Sequence, residues 1–259
     1  MIVYKYYPPT DYTFDALCNR YFFFSKVGKL NDPYDSSFNL IKGSRLANNL
    51  IANGRISPDM ELLMREYATC SFSAINNSMH MWAFYANNFS GVAVGYDDSK
   101  FKEITERLQA RVFYYKVSYL NKMFNVDRPF VRKLHNLTQG AKWICSNQLF
   151  KGDQKLDDDF FAYLYTLKHK DTWAGEKEYR LIVGNDIVQR KERLDIEYTV
   201  AGYKIPMPKG VIKEIIIGHN FPESRYYCIK HIAEANGILQ INQTSAEEPF
   251  NIKIIPANI

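Results

Sequence analysis

Two glutamates one residue apart, Glu176 and Glu178, followed by Arg180 and the apolar run Leu181-Ile182-Val183, have the types and spacing to do chemistry. In an extended strand alternate side chains share a face. The spacing therefore predicts Glu176, Glu178 and Arg180 on one side, and Lys177, Tyr179 and Leu181 on the other. A fixed pair of carboxylates at the mouth of a buried strand suits a reaction in which positive charge develops on a sugar ring. The anion stabilises an oxocarbenium-like transition state more than the neutral ground state. The same residues also fit an edge strand carrying a solvated Glu/Lys/Arg ladder.

Three other clusters could complete such a site. Thr69, Ser71 and Ser73 share one face of a strand predicted over residues 68–73, where hydroxyls bond a ribose or order a carboxylate. Asn31-Asp32-Pro33 predicts a tight turn after the aromatic strand at 21–25, and such turns present ligands. Met81, Trp82 and Tyr85 form a stripe on a helix predicted over 78–86, a pattern that packs into a core or offers a stacking platform.

These segments have to be positioned by the rest of the chain. Hydrophobic periodicity and breakers predict strands at 2–7, 21–25, 68–73, 91–96, 111–119 and 211–217, the strand of the two glutamates, and two short closing strands. Helices are expected at 78–86, 98–110 and 222–236, with a short one around Phe14, Leu17 and Cys18. Residues 40–66 read as a helical insertion, and 128–169 as a mostly helical stretch. Strands and helices mix without regular βαβ alternation. The expectation is an α+β fold of mixed, mostly antiparallel sheets around a cleft with flanking helices, in one domain over 1–259.

At 46% hydrophobic and 24% charged, the 259 residues read as an ordinary globular chain with a large core. No segment reaches the ~20 apolar residues of a membrane span and the amino terminus lacks signal-peptide regions, so a cytoplasmic protein is expected. Cys18, Cys70, Cys145 and Cys228 form no Cys-x-x-Cys pair, and the five histidines have no His-x-x-x-His spacing; no metal is expected. Glycine-rich phosphate loops and a Gly-x-Ser-x-Gly elbow are absent, which argues against P-loop and serine-nucleophile enzymes. Net charge is +5 and aromatics make up 15%, a balance that favours phosphate-bearing partners such as nucleic acid, with Lys168 and Lys170 one candidate basic pair.

The succession Tyr4-Lys5-Tyr6, Asn31-Asp32-Pro33-Tyr34-Asp35, Cys70-Ser71-Phe72-Ser73, Met81-Trp82-Ala83-Phe84-Tyr85-Ala86 and Trp173 through Arg180 resembles a widespread bacterial family known as a domain of unknown function. That family in turn resembles, more distantly, the NAD-dependent mono-ADP-ribosyltransferases, especially toxins of the DarT type that modify nucleic acid. The resemblance implies an ADP-ribosyltransferase-like fold, NAD as co-substrate, and a toxin or phage-defence role. It implies a nucleic-acid acceptor (RNA or single-stranded DNA) and an antitoxin or immunity partner.

Carried residue by residue, the resemblance makes Glu178 the catalytic acid and Glu176 the residue that places or deprotonates the acceptor. Ser71 and Ser73 support the ribose, although Phe72 stands where the resembling motif has Thr. The first motif, usually a His or Arg, is met here by Tyr4 and Lys5, or by a DarT-like basic residue near the Lys29–Pro33 turn. Asn31, Asp32, Trp82 and Tyr85 are further NAD candidates, and Lys168, Lys170 and Arg180 candidates for holding the acceptor. The alternatives are a non-catalytic binding module of the same fold and a transferase with a protein acceptor.

Overall fold

Among the described residues short strands rich in Tyr, Phe, Val and Ile dominate, and helices are few. The computed structural model describes residues 1–26, 30, 67–108, 112–120, 143–145, 166–184, 196–248 and 251–259. Along the chain they form β1 (Ile2–Tyr7), α1 (Asp11–Cys18), β2 (Tyr21–Lys26), β3 (Ala68–Ser73), α2 (Met79–Phe84), β4 (Val92–Asp97) and α3 (Phe101–Leu108). Next come β5 (Val112–Lys116), β6 (Ser118–Leu120), β7 (Trp143–Cys145), β8 (Leu167–His169), α4 (Lys170–Trp173) and β9 (Glu178–Val183). The carboxyl-terminal part holds β10 (Glu197–Tyr198), β11 (Gly202–Pro206), β12 (Ile212–Ile217), α5 (Tyr226–Ala235), β13 (Asn242–Glu248) and β14 (Asn251–Pro256).

Twelve of these strands join one open sheet in the order β10-β11-β2-β3-β1-β4-β12-β13-β14, with β9, β5 and β7 branching from β3. Every pairing within it is antiparallel except β12 with β13, so the fold is α+β on a mixed, mostly antiparallel sheet. Strands β6 and β8 form a separate parallel pair.

Period-two alternation sorts the side chains onto two faces. Val3, Val92, Val94, Tyr96, Ile215 and Ile217 point to one face, where α1, α3 and α5 cover them with Phe14, Leu17, Phe101, Ile104, Ile229 and Ile232. Tyr6, Ala93 and Ile216 point to the other, against Met81 and Trp82 of α2. Ser78 starts α2 by accepting from the Met81 amide at 3.4 Å.

After α2 the chain turns through three consecutive left-handed residues, Asn87, Asn88 and Phe89, with φ of 47°, 53° and 62°. Asparagine tolerates this conformation and phenylalanine resists it, so packing must hold Phe89 there. Its ring stacks on Trp82 at 5.8 Å, and its carbonyl accepts from the Asn220 amide at 3.0 Å. Gly218 makes the approach possible, since a Cβ there would sit 1.9 Å from the Phe89 oxygen.

β3 organises the sheet. One edge pairs with β9 over its whole length, from Ala68↔Val183 to Ser73↔Glu178. The opposite edge is divided between β2, at Thr69 and Ala68, and β1, at the single position Tyr4↔Ser73. Between those contacts the edge is left open, and the cleft described below forms there.

The expected strands at 2–7 and 68–73 have the observed bounds, that at 91–96 is shifted by one residue, and that at 211–217 starts one residue later. Two expectations change. The strand at 111–119 breaks at Val117, whose amide donates to the Glu178 carbonyl at 2.9 Å, leaving β5 and β6. Where the helical stretch 128–169 is described, it is strand: Trp143–Cys145 pairs with β5, and Leu167–His169 with β6. Cross-strand pairing decided those segments, not local periodicity. The insertion at 40–66 lies outside the described residues.

Candidate functional site

A cleft of about 200 Å³ opens on the α2 side of the sheet, where the edge of β3 is divided. Register sets its floor. Ser73 pairs with Glu178 and Ser71 with Arg180, so hydroxyls from β3 and charges from β9 share one face. The hydroxyl row Thr69, Ser71, Ser73 lines the cleft as its spacing predicted. Ser73 is spent on structure: its hydroxyl donates to the Glu176 carbonyl at 2.7 Å and accepts from the Ile75 amide at 3.2 Å. The Thr69 hydroxyl is buried and has no hydrogen-bond partner among the described residues.

Glu176 and Glu178 reach the same spot by a route the spacing did not predict. Residues Ala174–Glu176 form a 3-10 turn, and Lys177 is left-handed at φ 47°, so the strand starts only at Glu178. The one-face rule holds for Glu178 and Arg180 but not for Glu176, which arrives from the preceding turn. A solvated ladder is excluded by burial: relative exposures are 2% for Glu176, 4% for Glu178 and 1% for Arg180.

Lys168 on β8 holds the two acids together. Its Nζ lies 2.7 Å from Glu176 Oε2 and 2.8 Å from Glu178 Oε2, and 4.8 Å from the centre of the Trp173 ring. Arg180 donates from Nε to Glu178 Oε1 at 2.6 Å and from Nη2 to Oε2 at 3.1 Å. Burial alone would raise the Glu178 carboxyl. Arg180 and Lys168 outweigh it and hold the group at about 2, fully ionised at neutral pH. Tyr85, at the end of α2, donates its hydroxyl to Glu176 Oε1 at 2.5 Å. The Tyr119 hydroxyl accepts from the Glu178 amide at 2.8 Å, fixing the start of β9.

Lys5 lines the cleft where β1 and β3 part. Its ammonium donates to the Ser71 carbonyl at 3.3 Å and lies 5.9 Å from the centre of the Phe72 ring. Among the described residues no carboxylate pairs with it. The charged groups lining the cleft are Lys5, Lys168, Arg180, Glu176 and Glu178, three cations against two anions, which leaves a balance of +1 among the described residues. Tyr4 also lines the cleft, but its hydroxyl is tied to Glu214 Oε2 at 2.8 Å; burial, then that carboxylate, raises its pKa.

Of the residues singled out from sequence, Tyr4, Lys5, Ser71, Ser73, Tyr85, Lys168, Glu176, Glu178 and Arg180 meet at this cleft. Trp82 does not line it. It is fully buried, edge-on to Tyr6 at 5.2 Å, with its Nε1 donating to the Asn76 carbonyl at 2.7 Å. Lys170 is exposed on α4 and is not among the lining residues. Asn31 and Asp32 lie outside the described residues. Tyr119 and Glu214 were missed, and no local signal marks either, because both act on residues far away in sequence. Among the described residues no group of three metal-ligating side chains forms, and no helix is long and apolar enough to cross a membrane.

Residues 81–181 match a family model described as "Protein of unknown function (DUF2971)". The match covers part of the chain and is consistent with a domain-of-unknown-function family. The matched span runs from Met81 to Leu181 and takes in Tyr85, Lys168, Glu176, Glu178 and Arg180, while β1 and β3 lie before it. No curated protein and no solved structure matches the chain.

Proposed function

We propose that this protein is a cytoplasmic NAD-dependent mono-ADP-ribosyltransferase with an ADP-ribosyltransferase-like fold. In this reading it is a toxin or phage-defence effector that modifies RNA or single-stranded DNA and is restrained by an antitoxin or immunity partner. The observation carrying the reading is Glu178, a carboxylate held ionised at about 2 on the floor of a cleft that it shares with the Ser71 and Thr69 hydroxyls. The unpartnered Thr69 hydroxyl fits a ribose hydroxyl, and the surplus positive charge of Lys5 suits the pyrophosphate of NAD.

In the reaction, the bond from C1′ of the ribose to the nicotinamide nitrogen breaks. Its electron pair stays on the nitrogen, and neutral nicotinamide leaves. Glu178 stabilises the positive charge shared by C1′ and the ring oxygen. A lone pair of the acceptor oxygen or nitrogen forms the new bond to C1′. The acceptor proton passes to the Glu176 carboxylate and from there to water.

The test is nicotinamide release from NAD by the purified chain, with RNA, single-stranded DNA and a protein mixture offered as acceptors. Glu178→Gln should lower release at least about a hundredfold. Because the change also removes a carboxylate from Arg180 and Lys168, rates are compared well below both melting temperatures. No release by the wild type with any acceptor, or full release by the variant, refutes the assignment.

One observation favours a second reading, a non-catalytic binding module. Both Glu178 oxygens are already engaged by cations, as in an ion-pair network that only shapes a pocket. In that case NAD or another anion binds and nicotinamide release stays at background.

A further inference from the structure

The outward face of α2 carries features that the cleft does not use. Phe84 is 75% exposed, although a lone phenylalanine on a helix of this size gains most by turning inward. Its ring lies 4.8 Å from the His80 ring, tilted by 46°, and His80 lies 6.4 Å from the Tyr85 ring. Met79, beside His80, is exposed too. The three rings therefore continue from solvent to the cleft, where Tyr85 meets Glu176.

The chain packed beside this helix is the turn Ala174–Glu176, and it is flanked by cations. Lys170 and Lys177 are both exposed on that segment, and neither forms an ion pair among the described residues. Asp171 is the exposed acid between them. Exposed rings with unpaired cations alongside are the elements that hold an unpaired nucleotide, the base on a π face and the phosphate on an ammonium.

We infer that Phe84 and His80 form a stacking platform for one unpaired base of single-stranded nucleic acid at the mouth of the cleft, with Lys170 and Lys177 taking the neighbouring phosphates. The platform deepens the reading above, on which it rests for the role of the strand as acceptor. It does not rest on that reading for binding. A base on Phe84 directs the next nucleotide of the strand toward Tyr85 and Glu176. A duplex, whose bases are already stacked, has no free face to offer.

The experiment measures anisotropy of a fluorescein-labelled single-stranded 12-mer, as DNA and as RNA, against the full chain, with the matching duplex as competitor. The wild type should bind the single strand and prefer it to the duplex. Phe84→Ala should weaken binding about tenfold, Phe84→Tyr should retain it, and nicotinamide release to water should be unchanged by either. Melting temperature confirms that both variants fold, as an exposed site allows.

Absence of single-strand binding by the wild type, duplex binding at equal strength, or a Phe84→Ala variant that binds as the wild type does while Lys170→Glu/Lys177→Glu loses binding would each overturn the platform. The two ideas fail separately. Phe84-dependent binding without nicotinamide release leaves the platform standing and removes the transferase. Nicotinamide release without Phe84-dependent binding does the reverse.

Discussion

Replacing Lys168 by methionine keeps most of the side-chain volume and deletes the ammonium that two buried carboxylates share. Glu176 Oε2 and Glu178 Oε2, 2.7 and 2.8 Å from the same nitrogen, lie no more than about 5.5 Å apart. At an effective dielectric of about 20, two unit charges at that separation repel by about 3 kcal/mol. That is enough to lift the titration of one carboxyl of the pair from about 4.3 to between about 6 and 7. A carboxyl whose folded pKa is raised costs stability only when ionised. The penalty is absent below about 4.3 and complete above about 7.

Wild-type stability behaves in the opposite way. Glu178, held at about 2 against 4.5 for a free glutamate, contributes about 3 kcal/mol that is fully present above 4.5 and lost as pH falls through about 2. Between pH 5 and 8 this group leaves the wild-type curve flat. Urea unfolding of both proteins at pH 5, 6, 7 and 8 should therefore show Lys168→Met less stable by about 2 kcal/mol more at pH 8 than at pH 5, where about a third of the penalty is already present. A pH-independent loss would mean that the substitution removed only packing, such as the contact with Trp173. The charge argument would then be wrong.

Two further substitutions probe the floor and the turn. Thr69→Val should leave stability unchanged or raise it by up to about 1 kcal/mol, because the buried hydroxyl has no partner among the described residues, while increasing KM for NAD about fivefold. A clear loss of stability in a urea melt would show that the hydroxyl is bonded after all. Gly218→Ala should cost roughly 2 to 4 kcal/mol, since the new methyl would meet the Phe89 carbonyl at 1.9 Å, whereas Gly175→Ala, with nothing within 4 Å, should cost little. Equal melts for the two glycine variants would refute the packing account of the left-handed turn.

What could be read from the sequence was local. The runs Ile2–Tyr7 and Ala68–Ser73 announce themselves by aromatic and β-branched residues between breakers, and their alternation correctly aligns Thr69, Ser71 and Ser73. The meeting of Lys168 with both glutamates could not be read. It requires β8 to pair with β6 rather than continue a helix, and that choice depends on a partner nearly fifty residues earlier. Glu176 was placed on the wrong element because a left-handed lysine, unlike a glycine, carries no mark in the sequence. Trp82 and Tyr85 lie three residues apart on the same stretch of chain. Only the packing of Phe89 and Tyr6 decides that one is core and the other reaches the cleft.

The edge of β3 that is paired along its whole length also sets the order in which the molecule can assemble. Its full-length partner, β9, lies about 105 residues farther along the chain, as the pair Ser73↔Glu178 measures. The nascent chain can form β1, β2, β3 and β4 early, but β3 keeps one bare edge until residue 183 has emerged. Closing so long a loop is slow, and the reward comes only when the strand docks along its whole length. Until then Glu178 and Arg180 remain hydrated, and docking must strip water from them as the ion pairs close. Maturation of the cleft is therefore tied to the slowest long-range step of folding, and a chain cut short before β9 holds the hydroxyl row without the acids that face it.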